Sequence, residues 1–128
     1  MQLADTNIIL RYVLNDNEEL STLAKSIIET GVVVARTEVI AEAIYVLRSV
    51  YKATPSEIYS TMSAFIEKSG IVVEDKPLLL KALEYYGTQN IGFIDCILTT
   101  CAVNNGDQVH TFDQKLRKTI DKNLRDAQ

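Results

Sequence analysis

The chain has 128 residues, of which 47% are hydrophobic and only 5 are Gly and 2 Pro, so its composition excludes a disordered chain. This length predicts one domain, spanning residues 1–128. The net charge of -4 counts against broad, nonspecific nucleic-acid binding, although four clustered acids would account for the whole excess.

Two further classes are excluded by residue type and pattern. No apolar run is long enough to span a membrane, and the N-terminus lacks the pattern of a signal peptide, so we expect a cytoplasmic protein with no membrane partner. The single histidine, His110, leaves an ordinary zinc site short of ligands.

Segments typical of strands and of helices alternate along the chain. Short apolar runs predict strands at 2–4, 32–35, 71–73 and 108–112. Helices are expected at 5–14, 18–30, 37–52, 54–70, 76–86 and 93–104, with a short last helix from 113. Gly87 is expected to end the fifth of these helices. The alternation predicts an α/β protein with a parallel sheet and helices on both faces.

Two acids directly follow predicted strands. Asp5 follows the first strand and Asp113 follows the fourth. Both would lie at the carboxyl edge of a parallel sheet, which is where open α/β sheets bind ligands. The alternative for each is a helix N-cap, a common role for Asp.

Glu42 lies on the third predicted helix, at the border of its apolar face beside Val39 and Val46. An acid in that position is costly to bury unless it has a partner. Glu38 points further towards solvent and repels Glu42 at i,i+4 by about a few tenths of a kcal/mol. We therefore assign Glu42 to the candidate site and Glu38 an accessory role; the alternative is that Glu42 is a partly exposed helix residue.

Asp95 lies in the first turn of a helix that is apolar nearly all round. The helix dipole favours an acid there by roughly 0.3–1 kcal/mol, which does not offset the burial of a charge, whereas a cation would. Several carboxylates without a histidine or thiolate partner are typical of a Mg²⁺ or Mn²⁺ site. Such a metal lowers the pKa of a bound water and holds phosphoryl oxygens, which predicts hydrolysis of phosphate esters.

With these residues the chain resembles the PIN-domain family, and within it the VapC-type toxins of toxin–antitoxin pairs. The similarity covers essentially the whole length. It depends on four short motifs in order, namely Asp5-Thr6-Asn7, the stretch 41–47 around Glu42, the stretch 93–98 around Asp95, and Thr111 to Leu116 around Asp113. The run after Asp95, which begins at Cys96, is bulkier than the family's usual small residues.

The resemblance implies a three-layer α/β/α fold with a short, mainly parallel sheet of four or five strands. It implies an endoribonuclease that requires Mg²⁺ or Mn²⁺ and cleaves structured RNA such as tRNA or rRNA. The catalytic and metal-binding acids would be Asp5, Glu42, Asp95 and Asp113. Asn7 and Thr111 match accessory polar positions. A homodimer and a small antitoxin protein that covers the site are also implied.

Two cations are candidates for substrate binding. Arg36 follows the second predicted strand and could lie near the acidic edge, although a surface charge is the alternative. Lys115 begins a basic C-terminal segment, which either attracts RNA or forms a solvated last helix.

A surplus of large apolar residues also favours self-association. The third and fourth helices carry more of them than one small core needs: Tyr45, Val46, Tyr51, Ile58, Tyr59 and Met62.

Other functions remain as alternatives. A phosphatase of the haloacid dehalogenase type would need a second Asp where Asn7 stands, and a receiver domain would need an early pair of acids. A PIN-type nuclease of RNA maturation, or a noncatalytic PIN module that binds RNA or protein, stays open. Loss of one acid would mark the noncatalytic module, and all four acids are present.

Overall fold

A computed structural model describes all residues from Met1 to Gln128. It contains three short strands and seven helices. The strands are β1 (Gln2–Leu3), β2 (Val33–Val34) and β3 (Ile71–Val72), and the helices are α1 (Thr6–Leu14), α2 (Glu18–Glu29), α3 (Thr37–Ser49), α4 (Pro55–Glu67), α5 (Lys76–Gln89), α6 (Phe93–Asn105) and α7 (Gln114–Asp126).

Local side-chain chemistry determines where most helices begin. Thr54 and Glu57 form a reciprocal capping box at the start of α4. Four other helices begin after an Asp or Asn whose side chain accepts a hydrogen bond from a backbone N–H of the first turn: Asp5, Asn17, Asp75 and Asp113. Two of the four candidate acids, Asp5 and Asp113, are therefore placed by capping, and this fixes their orientation at the helix termini.

The three strands form a parallel sheet in the order β1-β2-β3. Leu3 is paired with Val34, and Val34 with Val72. Because the strands are parallel and in register, their carboxyl ends lie at one edge, where the chain passes from β1 to Asp5 and from β2 to Arg36. Asp5 and Arg36 therefore lie at this edge, whereas Asp113, which is also predicted to follow a strand there, follows an irregular segment.

The core lies between the sheet and the surrounding helices. Its largest fully buried side chains include Ile9 of α1, Ile40 of α3 and Leu83 of α5. A second, smaller cluster of Ala102, Leu116 and Ile120 packs α7 on α6. This packing positions the start of α7, and with it Asp113, beside α6. None of the helices combines the length and the apolar character needed to cross a membrane.

The fourth predicted strand is wrong, and the sheet has three strands rather than four or five. Residues 106–113 form no regular structure. Their polar backbone groups are bonded by side chains: Arg117 Nη1 donates to the carbonyl oxygen of Val109 at 2.9 Å, and the Asp113 N–H donates to Thr111 Oγ1 at 3.0 Å. His110 is exposed, and Phe112 is fully exposed.

Two other sequence-based expectations are also wrong. Gly87 does not end α5, which continues to Gln89 and ends at the left-handed Asn90. A Cβ at Gly87 would lie 3.3 Å from the Cβ of Tyr59, so this glycine allows α4 and α5 to approach closely. In α4, Ile58 and Met62 belong to the core, because they are 1% and 0% exposed. They are therefore not part of an apolar surplus.

Candidate active site

Asp5 lies between β1 and α1 and is exposed. Its Oδ1 accepts a hydrogen bond from the Ile8 N–H at 2.9 Å, which is the N-cap interaction of α1. This bond holds one carboxylate oxygen at the carboxyl edge of the sheet. Asn7 follows in the first turn of α1, where it is also exposed.

Glu42 is held by the residue that follows Asp5. The hydroxyl of Thr6 donates a hydrogen bond to Glu42 Oε2 at 2.9 Å, and α1 packs against α3. Because Thr6 is the first residue of α1, this bond joins the chain segment that carries Asp5 to the exposed carboxylate of Glu42. Sequence reasoning missed Thr6 as a site residue, although its place next to Asp5 was a signal.

Asp95 and Asp113 form a second pair. Asp95 is the third residue of α6, and Asp113 is the N-cap of α7, where its Oδ1 accepts from the Leu116 N–H at 3.0 Å. The pKa of Asp95 is raised from its ordinary value, first by burial and then by the negative charge of Asp113. The structure therefore brings the Asp113 carboxylate close enough to disfavour the charged form of Asp95.

Of the four acids, only Asp95 and Asp113 affect each other's surroundings directly, whereas Asp5 and Glu42 are linked through Thr6. It contains no group of three or more His, Cys, Asp or Glu side chains that could hold a metal ion. The helices that carry Glu42 and Asp95, α3 and α6, do contact each other. The assignment of all four acids to one metal site stays a prediction.

The cation at the sheet edge is already paired. Arg36 Nε donates to Glu38 Oε1, and both side chains are exposed. This hydrogen bond is the main cause that lowers the pKa of Glu38. A phosphate at Arg36 would therefore compete with Glu38, so the two predicted residues act on each other in this structure.

A cavity of about 510 Å³ opens beside the second pair of acids. Its polar lining contains Asp95, Asp113 and Lys115 together with Tyr45 and Arg48 of α3. The side chain of Arg48 is held by a hydrogen bond from Nη1 to the Ala53 carbonyl oxygen at 3.2 Å. The cavity thus combines two carboxylates, two cations and an exposed aromatic ring.

Sequence reasoning missed Tyr45 and Arg48 as residues of the site. Ala41, Ile44, Tyr45 and Arg48 all line the cavity and are spaced at i, i+3, i+4 and i+7 on α3. That spacing was visible in the sequence. The surroundings of this face of α3 depend on how α3 packs against the segment before α6, and the sequence does not show that packing.

The chemistry of the donor set fits a hard divalent cation. Asp95 and Asp113 offer carboxylate oxygens. The pKa of Asp95 is raised by burial first and by the charge of Asp113 second, and a bound cation would favour the charged form against both effects. Mg²⁺ is commonly bound through one or two carboxylates and several waters, so a pair of acids is a sufficient protein contribution.

Comparisons with known proteins identify the family of this chain. A family profile described as PIN domain matches residues 3–122. The chain is 26% identical over 123 residues to the VapC ribonuclease of Aquifex aeolicus (strain VF5), and the match covers 92% of this chain and 91% of that protein. No solved structure matches the chain.

Proposed function

The chain belongs to the PIN-domain family, whose three-layer α/β/α fold it shares, and we propose that it is a metal-dependent endoribonuclease. The observation that carries the proposal is the half-buried Asp95 beside Asp113, in a cavity that also contains Lys115 and Arg48. The two carboxylates can bind a metal ion, and Lys115 and Arg48 can bind phosphate oxygens, so the cavity suits a phosphodiester substrate. The similarity to a protein named VapC ribonuclease supports RNA as that substrate. The tRNA or rRNA class is what the family resemblance implies, and we include it in the proposal.

The proposed roles are metal binding by the four acids and phosphate binding by the two cations of the cavity. Asp95 and Asp113, with Asp5 and Glu42, would hold Mg²⁺ or Mn²⁺, which lowers the pKa of a water and neutralises phosphate charge. Lys115 and Arg48 are placed to contact phosphate oxygens.

Two threonine hydroxyls are proposed to position the acids. Thr6 orients the Glu42 carboxylate, and Thr111 accepts from the Asp113 backbone N–H and so orders the segment before α7. Asn7 and Glu38 are proposed as accessory residues, and Arg36, at the same sheet edge as Asp5, as a substrate-binding residue.

The test is cleavage of purified total RNA by the purified protein. We expect cleavage with Mn²⁺ and none with EDTA. Glu42→Gln and Asp95→Asn should each lower the rate at least about 100-fold, because each removes a metal-holding or water-orienting charge. Thr6→Val should cost about 10–100-fold, as loss of a group that orients a ligand does, and Thr6→Ser should restore the rate.

The control is Asp75→Asn, which alters an N-cap acid of the same type at the start of α5, outside the cavity. It should leave the rate unchanged. RNA cleavage that persists in EDTA, or in Asp95→Asn at the wild-type rate, would refute the proposal. RNA binding without cleavage in any metal would favour a noncatalytic module instead.

We also propose the biological setting that the family resemblance implies, which is a cytoplasmic toxin blocked by a small antitoxin protein. Expression of the chain alone should then arrest growth, whereas Asp95→Asn should not. Co-expression of a small protein encoded beside it should relieve the arrest. Arrest by wild type and Asp95→Asn alike would contradict a toxin that acts through its nuclease site.

A further inference from the structure

A second cavity, of about 400 Å³, lies on α7 and is lined only by polar and basic residues. They are Gln89, Lys115, Lys118, Thr119 and Lys122. The three lysines are spaced at i, i+3 and i+7, so they share one face of α7. We call this face the lysine strip; it extends over about 10 Å of helix axis.

The lysines of the strip form no ion pairs within the protein. None of its three lysines forms an ion pair, whereas Arg117 on the same helix pairs with Asp121 at 3.3 Å. Lys118 and Lys122 are four residues apart, and like charges at that spacing destabilise a helix by about a few tenths of a kcal/mol. The chain as a whole has a net charge of -4, whereas this face of α7 is positively charged.

The strip is continuous with the candidate active site. Lys115 lines both this cavity and the one that contains Asp95 and Asp113. An extended polyanion with one phosphate at the acids would therefore pass Lys115 and continue along Lys118 and Lys122.

We propose that the lysine strip binds the RNA backbone on one side of the cleaved bond. This inference rests on the proposed ribonuclease function and extends it, because it names α7 as the surface that holds the flanking nucleotides. Lysine acts as a point charge on phosphate and reads no bases, so the strip contributes affinity without sequence preference. It also means that the enzyme prefers substrates with several nucleotides on that side.

The experiment measures binding of a single-stranded RNA to the Asp95→Asn protein as a function of salt. In that background, Lys118→Gln with Lys122→Gln should weaken binding about tenfold at low salt. It should also reduce the slope of log K against log salt by about 1.4, since each phosphate contact on a single strand contributes about 0.7. Lys25→Gln with Lys76→Gln, which removes the same charge from α2 and α5, should change neither quantity.

A kinetic readout separates binding from chemistry. With Asp95 intact, the Lys118→Gln, Lys122→Gln protein should show a raised KM for long RNA and an unchanged kcat, because contacts remote from the reacting atoms bind ground and transition states alike. Cleavage of a dinucleotide should be unaffected.

The outcomes distinguish this inference from the proposed function. Normal cleavage by wild type with an unchanged salt slope in the lysine variants would overturn the inference and leave the ribonuclease proposal intact. Absence of cleavage by wild type, with a reduced slope in the variants, would refute the nuclease and keep the strip as an RNA-binding surface. Equal loss of affinity for polyglutamate of matched charge would overturn the assignment to nucleic acid.

Discussion

The carboxylate of Asp95 is subject to opposing electrostatic effects. It lies in the first turn of α6, where the helix dipole favours negative charge. Its pKa is nevertheless raised, by burial first and by Asp113 second, so these two effects outweigh the dipole. The charged form of Asp95 is therefore unfavourable for the metal-free fold, and under the proposed function a bound cation would offset that cost.

This argument makes a prediction about stability and pH. The pKa of Asp95 is higher in the folded than in the unfolded chain, so the folded state binds the proton more tightly. The penalty is fully present above the raised folded pKa, and it is lost as the pH falls towards the unfolded value near 3.8. In EDTA at neutral pH, Asp95→Asn should raise the free energy of unfolding by at most about 1 kcal/mol, since the pair is partly screened.

Thermal melting of wild type and Asp95→Asn from pH 7 to pH 4 measures this difference, which should shrink as the pH falls. Asp75→Asn is the control, because Asn caps a helix about as well as Asp, and its melting temperature should follow that of wild type. If Asp95→Asn also melts with wild type throughout, Asp95 is only a residue of a helix terminus.

At the scale of the element, the sequence predicts helix starts better than it predicts strands. Caps such as Asp5, Thr54 and Asp113 act within a few residues, so local sequence contains most of the information. The stretch 108–112 has the composition of a strand, but its polar backbone is bonded by Arg117 and Thr111 instead of a neighbouring strand. Whether this stretch forms a strand depends on the packing of α7 against α6, and the local sequence does not show that packing.

The structural role of a glycine also cannot be predicted from residue type alone. Gly87 has the residue type of a helix end and serves instead as a contact with Tyr59 of α4. Gly70, in contrast, is required by its own backbone. Its φ is +91°, and a Cβ there would lie 2.6 Å from the carbonyl oxygen of Gly31. The backbone carbonyl of Gly70 also accepts the Val33 N–H at 2.8 Å, so the turn before β3 is bonded to β2.

Substitution of Gly70 therefore tests the turn that sets the sheet. Gly106 also has a positive φ, +72°, but a Cβ there would meet nothing within 4 Å, so it isolates backbone strain from the clash. Gly106→Ala should cost about 1 kcal/mol of unfolding free energy. Gly70→Ala should cost about 1–3 kcal/mol more because of the overlap with Gly31. Urea unfolding measures both; equal costs would show that the close approach of Gly70 and Gly31 does not constrain the turn.

For the whole molecule, the distribution of exposed apolar area supports a proposed homodimer. Ile58 and Met62 are in the core, but Val50 and Tyr51 remain 64% and 40% exposed just after the end of α3. Tyr59 of α4 is 37% exposed. Apolar residues grouped on adjacent elements are typical of an interaction surface, and a second copy of the chain would cover them symmetrically.

Sedimentation equilibrium at tens of micromolar should therefore give a dimer. Val50→Lys should dissociate it, since a charge would be buried at the interface. Leu23→Lys, at a residue of α2 that is 55% exposed, should leave the dimer intact and serves as the control. A wild-type monomer at these concentrations would contradict the proposal.

The whole molecule also explains which part of the site could be predicted. Acids at strand and helix ends carry a local signal, so Asp5, Asp95 and Asp113 could be selected from the sequence. The cavity beside Asp95 could not, because its walls come from α3, from the segment before α6, and from the start of α7. For the same reason the pairing of Arg36 with Glu38, and the bond from Thr6 to Glu42, required the folded structure.

The most direct test of the central claim, that these acids hold a divalent metal, is calorimetric titration of Mn²⁺ into the metal-free protein near neutral pH. We expect saturable binding to wild type and to Asp75→Asn, and binding at least about tenfold weaker to Asp95→Asn and to Asp113→Asn. The same order should hold for the rate of RNA cleavage at a fixed Mn²⁺ concentration. If wild type binds no Mn²⁺, or if Asp95→Asn and Asp113→Asn bind it as tightly as wild type, the acids are not a metal site and the proposed mechanism is wrong.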